Sequence, residues 1–152
     1  MKKTERVADV LEVETKSTIA EWLRRADSEP DIMAIEMTPA ERSAHLPDVL
    51  RDLVVRLRNP LPLGTPALTS DAAHDHGLCR REQGYTPAMM VAESRILQVS
   101  IFQTLQLNLT RLDPSVLLVD VMAIADEVDS QLAQAMTSYV KEADVDGGPI
   151  EP

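Results

Sequence analysis

Polar side chains that could do chemistry stand in three places along this 152-residue chain where helical periodicity asks for core. One is the run His74-Asp75-His76-Gly77-Leu78-Cys79-Arg80. On a helix His76, Cys79 and Arg80 share a face, whereas His74 points about 160° away from His76. An imidazole and a thiolate on one face are zinc-type donors, but two more ligands would have to come from elsewhere and no complete ligand spacing is present. The expectation is therefore no metal, with a hydrogen-bonded core histidine beside a small apolar thiol. A second place is Glu93, four residues before Leu97 and eight before Ile101, which sets a carboxylate on an apolar stripe. Burying it is costly unless it is paired, and His76 and Arg80 on the preceding antiparallel helix are the candidate partners; a Glu at the stripe edge reaching water is the alternative. The third is His45, one residue before the stripe that begins at Leu46. His76 and Glu93 could serve as an acid-base pair. Yet the chain has no P-loop, Rossmann glycine fingerprint, GxSxG elbow, HExxH or CxxC, so no catalytic residue and no cofactor is expected.

Helices must position these groups. Val7, Leu11, Ile19, Trp22, Leu23 and Ala26 recur at helical spacing over 4–27, interrupted by polar Thr15, and a short apolar connection follows over 31–37. Thr38-Pro39-Ala40-Glu41 reads as a capping box. Leu46, Val49, Leu50, Leu53, Val54 and Leu57 define a second helix, with Arg51, Asp52, Arg56 and Arg58 mostly on its other face and Pro47 moving its start to about 46. Prolines 60, 62 and 66 forbid helix across 59–66. A third helix is predicted over about 71–83, ended by Gly84, and Thr86-Pro87 starts a fourth, about 87–111, apolar over much of its circumference. Asp113-Pro114 caps a fifth, about 114–142, whose seam of Leu118, Val121, Ala125, Val128, Leu132, Ala135 and Tyr139 alternates three and four residues, as a packing or dimer edge does. The fold expected is all-α: an elongated bundle of about five helices, the last two long and antiparallel, in one domain over 1–142 with a flexible acidic tail or linker stub over 143–152.

Composition agrees. Aromatics are 3% and glycines number 5, which disfavours an all-β architecture. The net charge of -10 argues against nucleic acid and anionic membrane as partners. Residues 112–152 hold nine acids and one base, so most of that charge sits at the C-terminal end. The single cysteine excludes an internal disulfide, and with no apolar leader or spanning run a cytoplasmic location is expected.

The string His76-Gly77-Leu78-Cys79-Arg80-Arg81-Glu82-Gln83-Gly84-Tyr85-Thr86, followed by Glu93 and Leu97, resembles the RsbRD-type N-terminal domain. That domain is named for RsbT co-antagonists of the stressosome and also precedes sensor histidine kinases. The family pattern is a His-Gly, an Arg shortly after, a Gly-Tyr turn, then a Glu about eight residues on; Trp22 and His45-Leu46-Pro47 match its first two helices. The resemblance covers about 17–140 and implies a helical, non-catalytic input domain of a stress-response or two-component-type regulator. Its implied partners are a downstream kinase, STAS or regulator domain, with a small-molecule ligand as a further option. His45, His76, Arg80, Tyr85 and Glu93 are then the expected ligand or switch cluster, and a homodimer through the two long helices the expected assembly. A globin-like or other tetrapyrrole-binding helical domain, with His45 or His76 facing a roomy apolar pocket, is the alternative.

Overall fold

A computed structural model describes residues 4–65 and 70–146, with side chains described as far as Lys141. The fold is all-α: α1 (Val7–Val13), α2 (Thr15–Ala26), α3 (Pro30–Met33), α4 (Pro39–Arg42), α5 (Leu46–Arg58), α6 (Asp71–Glu82), α7 (Pro87–Leu107) and α8 (Pro114–Asp146). The count exceeds five for local reasons. The first predicted helix breaks at Glu14, whose backbone leaves helical geometry, and the Thr15 hydroxyl folds back onto the Leu11 carbonyl at 2.9 Å. The single turn α3 overlaps the start of the connection over 31–37, and the capping box at Thr38 yields only the single turn α4. Helix α7 stops at Leu107, and a 3-10 turn over Leu109–Arg111 takes the rest of the predicted span. Helix α8 continues to Asp146, about 50 Å at 1.5 Å per residue, beyond the predicted end at 142. Of the expected tail, 147–152 lies outside the described residues.

Three pairings organise the bundle: α1 on α5, α2 on α7, and α6 along α8. Helices α7 and α8 reverse through the 109–113 corner and pack on each other, as expected, though the broadest partner of α8 is α6. The corner is fastened to the N-terminus. The Glu5 amide donates to Arg111 O at 2.7 Å, the Asp113 amide to Glu5 O at 3.1 Å, and Arg6 pairs with buried Asp120 at 2.8 Å.

The inward face of α8 keeps most of the predicted seam and mixes polar groups into it. Asp120, Ile124, Glu127, Val128, Gln131, Ala135, Ser138 and Tyr139 are buried, and Val121 and Leu132 are partly buried against the core. Leu118 is 71% exposed and drops out of the intramolecular seam, because the inward register is set by Asp120 reaching Arg6. Arg56 also departs from expectation. Rather than lying on the polar face of α5, it is buried and pairs with Asp126 at 2.8 Å and Glu127 at 3.1 Å. Helix α7, apolar nearly all round, buries one face and leaves Val91, Val99 and Leu107 exposed.

Gly77 sets how closely α6 approaches α8. A Cβ there would lie 2.1 Å from Ala135 O and 2.2 Å from Ser138 Oγ, and that same hydroxyl donates to His74 O at 2.8 Å across the interface. Alanine at a helical glycine gains up to about 1 kcal/mol in propensity, but here a backbone oxygen blocks it. Gly77→Ala is expected to lose about 2–3 kcal/mol in urea unfolding, at the upper end of overpacking costs; a stability equal to or above that of the parent chain would refute the close-approach role.

Candidate functional site

The end of α6 builds one wall of the site. With Gly84 at φ 88°, the Tyr85 amide reaches back to Arg80 O at 3.0 Å and the Gly84 amide to Arg81 O at 3.1 Å, the two bonds of a Schellman cap. That cap brings the residue after the glycine against the helix's last inward turn. Here the pair so formed is a cation over a ring, with the Arg80 guanidinium 4.6 Å from the Tyr85 centroid. Thr86 then accepts the Met89 amide at 3.2 Å and starts α7. Glu93 lies seven residues after Thr86, about two turns on, and faces back toward α6.

Arg80 and Glu93 form a buried, two-pronged ion pair. Arg80 Nε donates to Glu93 Oε2 at 3.1 Å and Nη2 stands 2.9 Å from Oε1, with both side chains 3% exposed or less. The remaining guanidinium donors reach Gln83 Oε1 at 2.7 Å and Arg42 O at 2.6 Å. Arg42, itself buried, spends its guanidinium on the carbonyls of Ile32 and Ile35 at 2.9 and 3.0 Å, which ties α3 and α4 to the same knot. Glu93 also gives its backbone carbonyl to the Trp22 indole at 3.3 Å, and its Oε2 lies 3.4 Å from His76 Nε2. Tyr139 on α8 donates to Tyr85 O at 2.6 Å.

The two histidines complete the cluster. His45 and His76 stack face to face, 3.8 Å between centroids and 12° apart in plane, and the Trp22 ring meets His45 edge-on at 5.8 Å. His45 Nδ1 sits 3.5 Å from Arg80 Nη2. Burial, then the neighbouring His76 and Arg80 charges, push the His45 pKa well below the usual imidazole value, so the ring is neutral at pH 7. Burial and then the Glu93 charge raise Tyr85 to about 12, and its hydroxyl lies beside the carboxylate with no aligned hydrogen bond. Glu93 Oε1 likewise has an ion-pair contact but no aligned hydrogen bond.

All five residues singled out in the sequence, His45, His76, Arg80, Tyr85 and Glu93, thus meet. Glu93 takes the buried, paired position rather than the stripe edge. Cys79 is exposed, which corrects the expectation of a small apolar core thiol beside His76. Instead His45, His76 and Glu93 each offer a ligand atom, all within 4.8 Å of one another. Beside them Val49, Met90, Leu97, Val128 and Leu132 help enclose a cavity of about 40 Å³. It has room for an ion or a water.

Sequence reading missed Trp22 as a hydrogen-bond donor, Arg42, Gln83 and the Arg56–Asp126–Glu127 cluster. Arg42 carried no signal, since its partners are backbone carbonyls. Arg56 carried one: it sits between Val54 and Leu57, while Asp126-Glu127 interrupts the apolar seam of α8. Burial raises the Glu127 pKa against the opposing pull of Arg56. Comparison with protein-family models, curated proteins and solved structures returns no match.

Removing one member of a buried pair leaves the other charge unpaired, at about 3–5 kcal/mol. Glu93→Leu is expected to lose stability on that scale in denaturant unfolding, and Arg80→Met/Glu93→Leu together to lose less than Glu93→Leu alone. A double variant as unstable as the sum of its parts would show that the two side chains are not coupled.

Proposed function

We propose that the chain is a non-catalytic signalling input domain of the RsbRD N-terminal type, working by a change in how its helices pack. One observation carries this reading. The residues of the family-like pattern, spread from His45 to Glu93, converge on a single buried polar knot that ties α2, α4, α5, α6, α7 and α8 together. Gly77 and Gly84, the two glycines of that pattern, have structural duties beside it: one permits the α6–α8 contact and the other forms the cap that presents Tyr85.

A knot of this kind suits a switch. Its members exchange discrete hydrogen bonds and ion pairs rather than deform gradually, and α8 leads away from it toward the C-terminal end of the chain. A catalytic reading has less support, since the Glu93 carboxylate is taken by Arg80. Among the described residues no helix is long and apolar enough to cross a membrane.

The outward apolar strip where α7 ends and α8 begins fits a second copy. Leu107, Leu118 and Val119 are 75%, 71% and 64% exposed, and no charged residue lies between Ile96 and Thr110 or between Pro114 and Val119. In a chain of net charge -10 these uncharged stretches, on either side of a corner whose Arg111 is paired with Glu5, are where two copies approach with least repulsion. Light scattering at micromolar concentration should give twice the 16.8 kDa chain mass, reduced to one by Leu118→Glu.

Signalling is tested by placing the chain as input domain before a histidine-kinase transmitter. Arg80→Met/Glu93→Leu should change autophosphorylation several-fold while the chimera stays folded by circular dichroism. A folded chimera with parental kinase activity would contradict the input role of the knot.

A further inference from the structure

We propose that His45, His76 and Glu93 form a site for a first-row divalent transition-metal ion, and that the ion competes with Arg80 for the Glu93 carboxylate. The ligands come from three separate parts of the fold: His45 at the start of α5, His76 on α6 and Glu93 on α7. Their nearest ligand atoms already lie within 4.8 Å of one another, and all three border the cavity of about 40 Å³, which gives an ion somewhere to sit. Two imidazoles and one carboxylate suit zinc, nickel, cobalt or ferrous ions and disfavour magnesium and calcium, which prefer all-oxygen sets.

Two details favour exchange over a permanently closed ion pair. Glu93 Oε1 is deeply buried and meets Arg80 Nη2 at 2.9 Å without an aligned hydrogen bond, so that prong of the pair is the weaker one. Arg80, for its part, does not depend on Glu93 alone. If the carboxylate turns to an ion, the guanidinium keeps Gln83 Oε1 at 2.7 Å, the Arg42 carbonyl at 2.6 Å and the face of Tyr85.

The stack sets what must move. Rings 3.8 Å apart and nearly parallel point their in-plane lone pairs side by side, and an ion needs two nitrogens converging at about 2.0–2.1 Å. One ring therefore turns about its Cβ–Cγ bond into the cavity, and His45 leaves Arg80 Nη2. Ion binding thus replaces the α6–α7 ion pair with a link among α5, α6 and α7. That assigns the input domain a signal; it rests on the input reading only for the step from ion to output.

Trp22 is the sole tryptophan and touches His45, so its emission reports the site. The full chain, stripped with chelator and freed of any affinity tag, is titrated with ZnCl2, NiCl2 and CoCl2 by fluorescence and calorimetry. Expected are one ion per chain and a saturating change in Trp22 emission, with no response to MgCl2 or CaCl2. His76→Ala and Glu93→Gln should abolish both signals, while His74→Ala, at an exposed position of α6, should keep them. Should Glu93→Gln fail to fold, His45→Ala takes its place. No heat and no emission change with any of the three ions would overturn the site, as would binding that survives in His76→Ala. Absence of binding alongside a kinase chimera that still responds to Arg80→Met/Glu93→Leu removes the ion and leaves the input reading intact. One-to-one binding with loss in His76→Ala sustains the site even where kinase output is unchanged.

Discussion

Glu93 is a carboxylate held almost entirely out of water, and a charge so placed costs several kcal/mol unless its surroundings restore what water supplied. Arg80 restores part of it through two contacts, but a buried guanidinium brings five donors that must also be met. The next layer follows from that requirement. Gln83 supplies a side-chain oxygen, and α4 ends where the Arg42 carbonyl can accept a third bond. The Schellman cap at Gly84 lays Tyr85 under the cation, and Tyr139 holds the Tyr85 backbone from α8. Short elements that look incidental, the single turns α3 and α4 among them, have a physical reason: Arg42 needs the carbonyls of Ile32 and Ile35, and Arg80 needs that of Arg42.

The same logic recurs at the other end of α8. Arg56 is buried between Asp126 and Glu127, Gln131 donates to Glu127 at 3.3 Å, and Arg6 closes on Asp120 at 2.8 Å. The acidity concentrated in the last forty or so residues is therefore not wholly a solvated surface. Three of its carboxylates are internal ion-pair partners, which is why the buried face of α8 mixes acids and amides with Ile124, Val128 and Ala135. Such a face fixes register more sharply than an all-apolar one, because a one-residue slip would strand each charge.

Helix identity was legible because the aliphatic periodicity, the Thr-Pro starts and the Gly84 stop are local signals that packing did not override. So was the cluster: a carboxylate on the stripe of α7 and an arginine on the facing side of α6 each imply the other, and His45 and His76 flank apolar stripes of their own helices. What stayed hidden was long-range. Leu118 continues the apolar spacing of α8, yet its outward turn is decided by an ion pair with a residue near the N-terminus, 114 positions from Asp120. Arg42 bonds only main-chain carbonyls, which every sequence has. The break at Glu14 has no local sequence signal of its own: the Thr15 hydroxyl bonds the preceding turn, but Ser100 and Thr104 do the same within unbroken α7.

Whether the polar knot binds its separate helices as one unit is tested most directly by native-state hydrogen exchange. The Trp22 indole N–H donates to Glu93 O, the Tyr85 amide to Arg80 O, and the Arg42 amide to Thr38 O in the turn that meets Arg80. These three protons lie on different elements far apart in sequence. If the knot is one cooperative unit they exchange with a common opening free energy and a common denaturant dependence. Separate free energies, with the Trp22 indole opening independently of the Tyr85 amide, would contradict it.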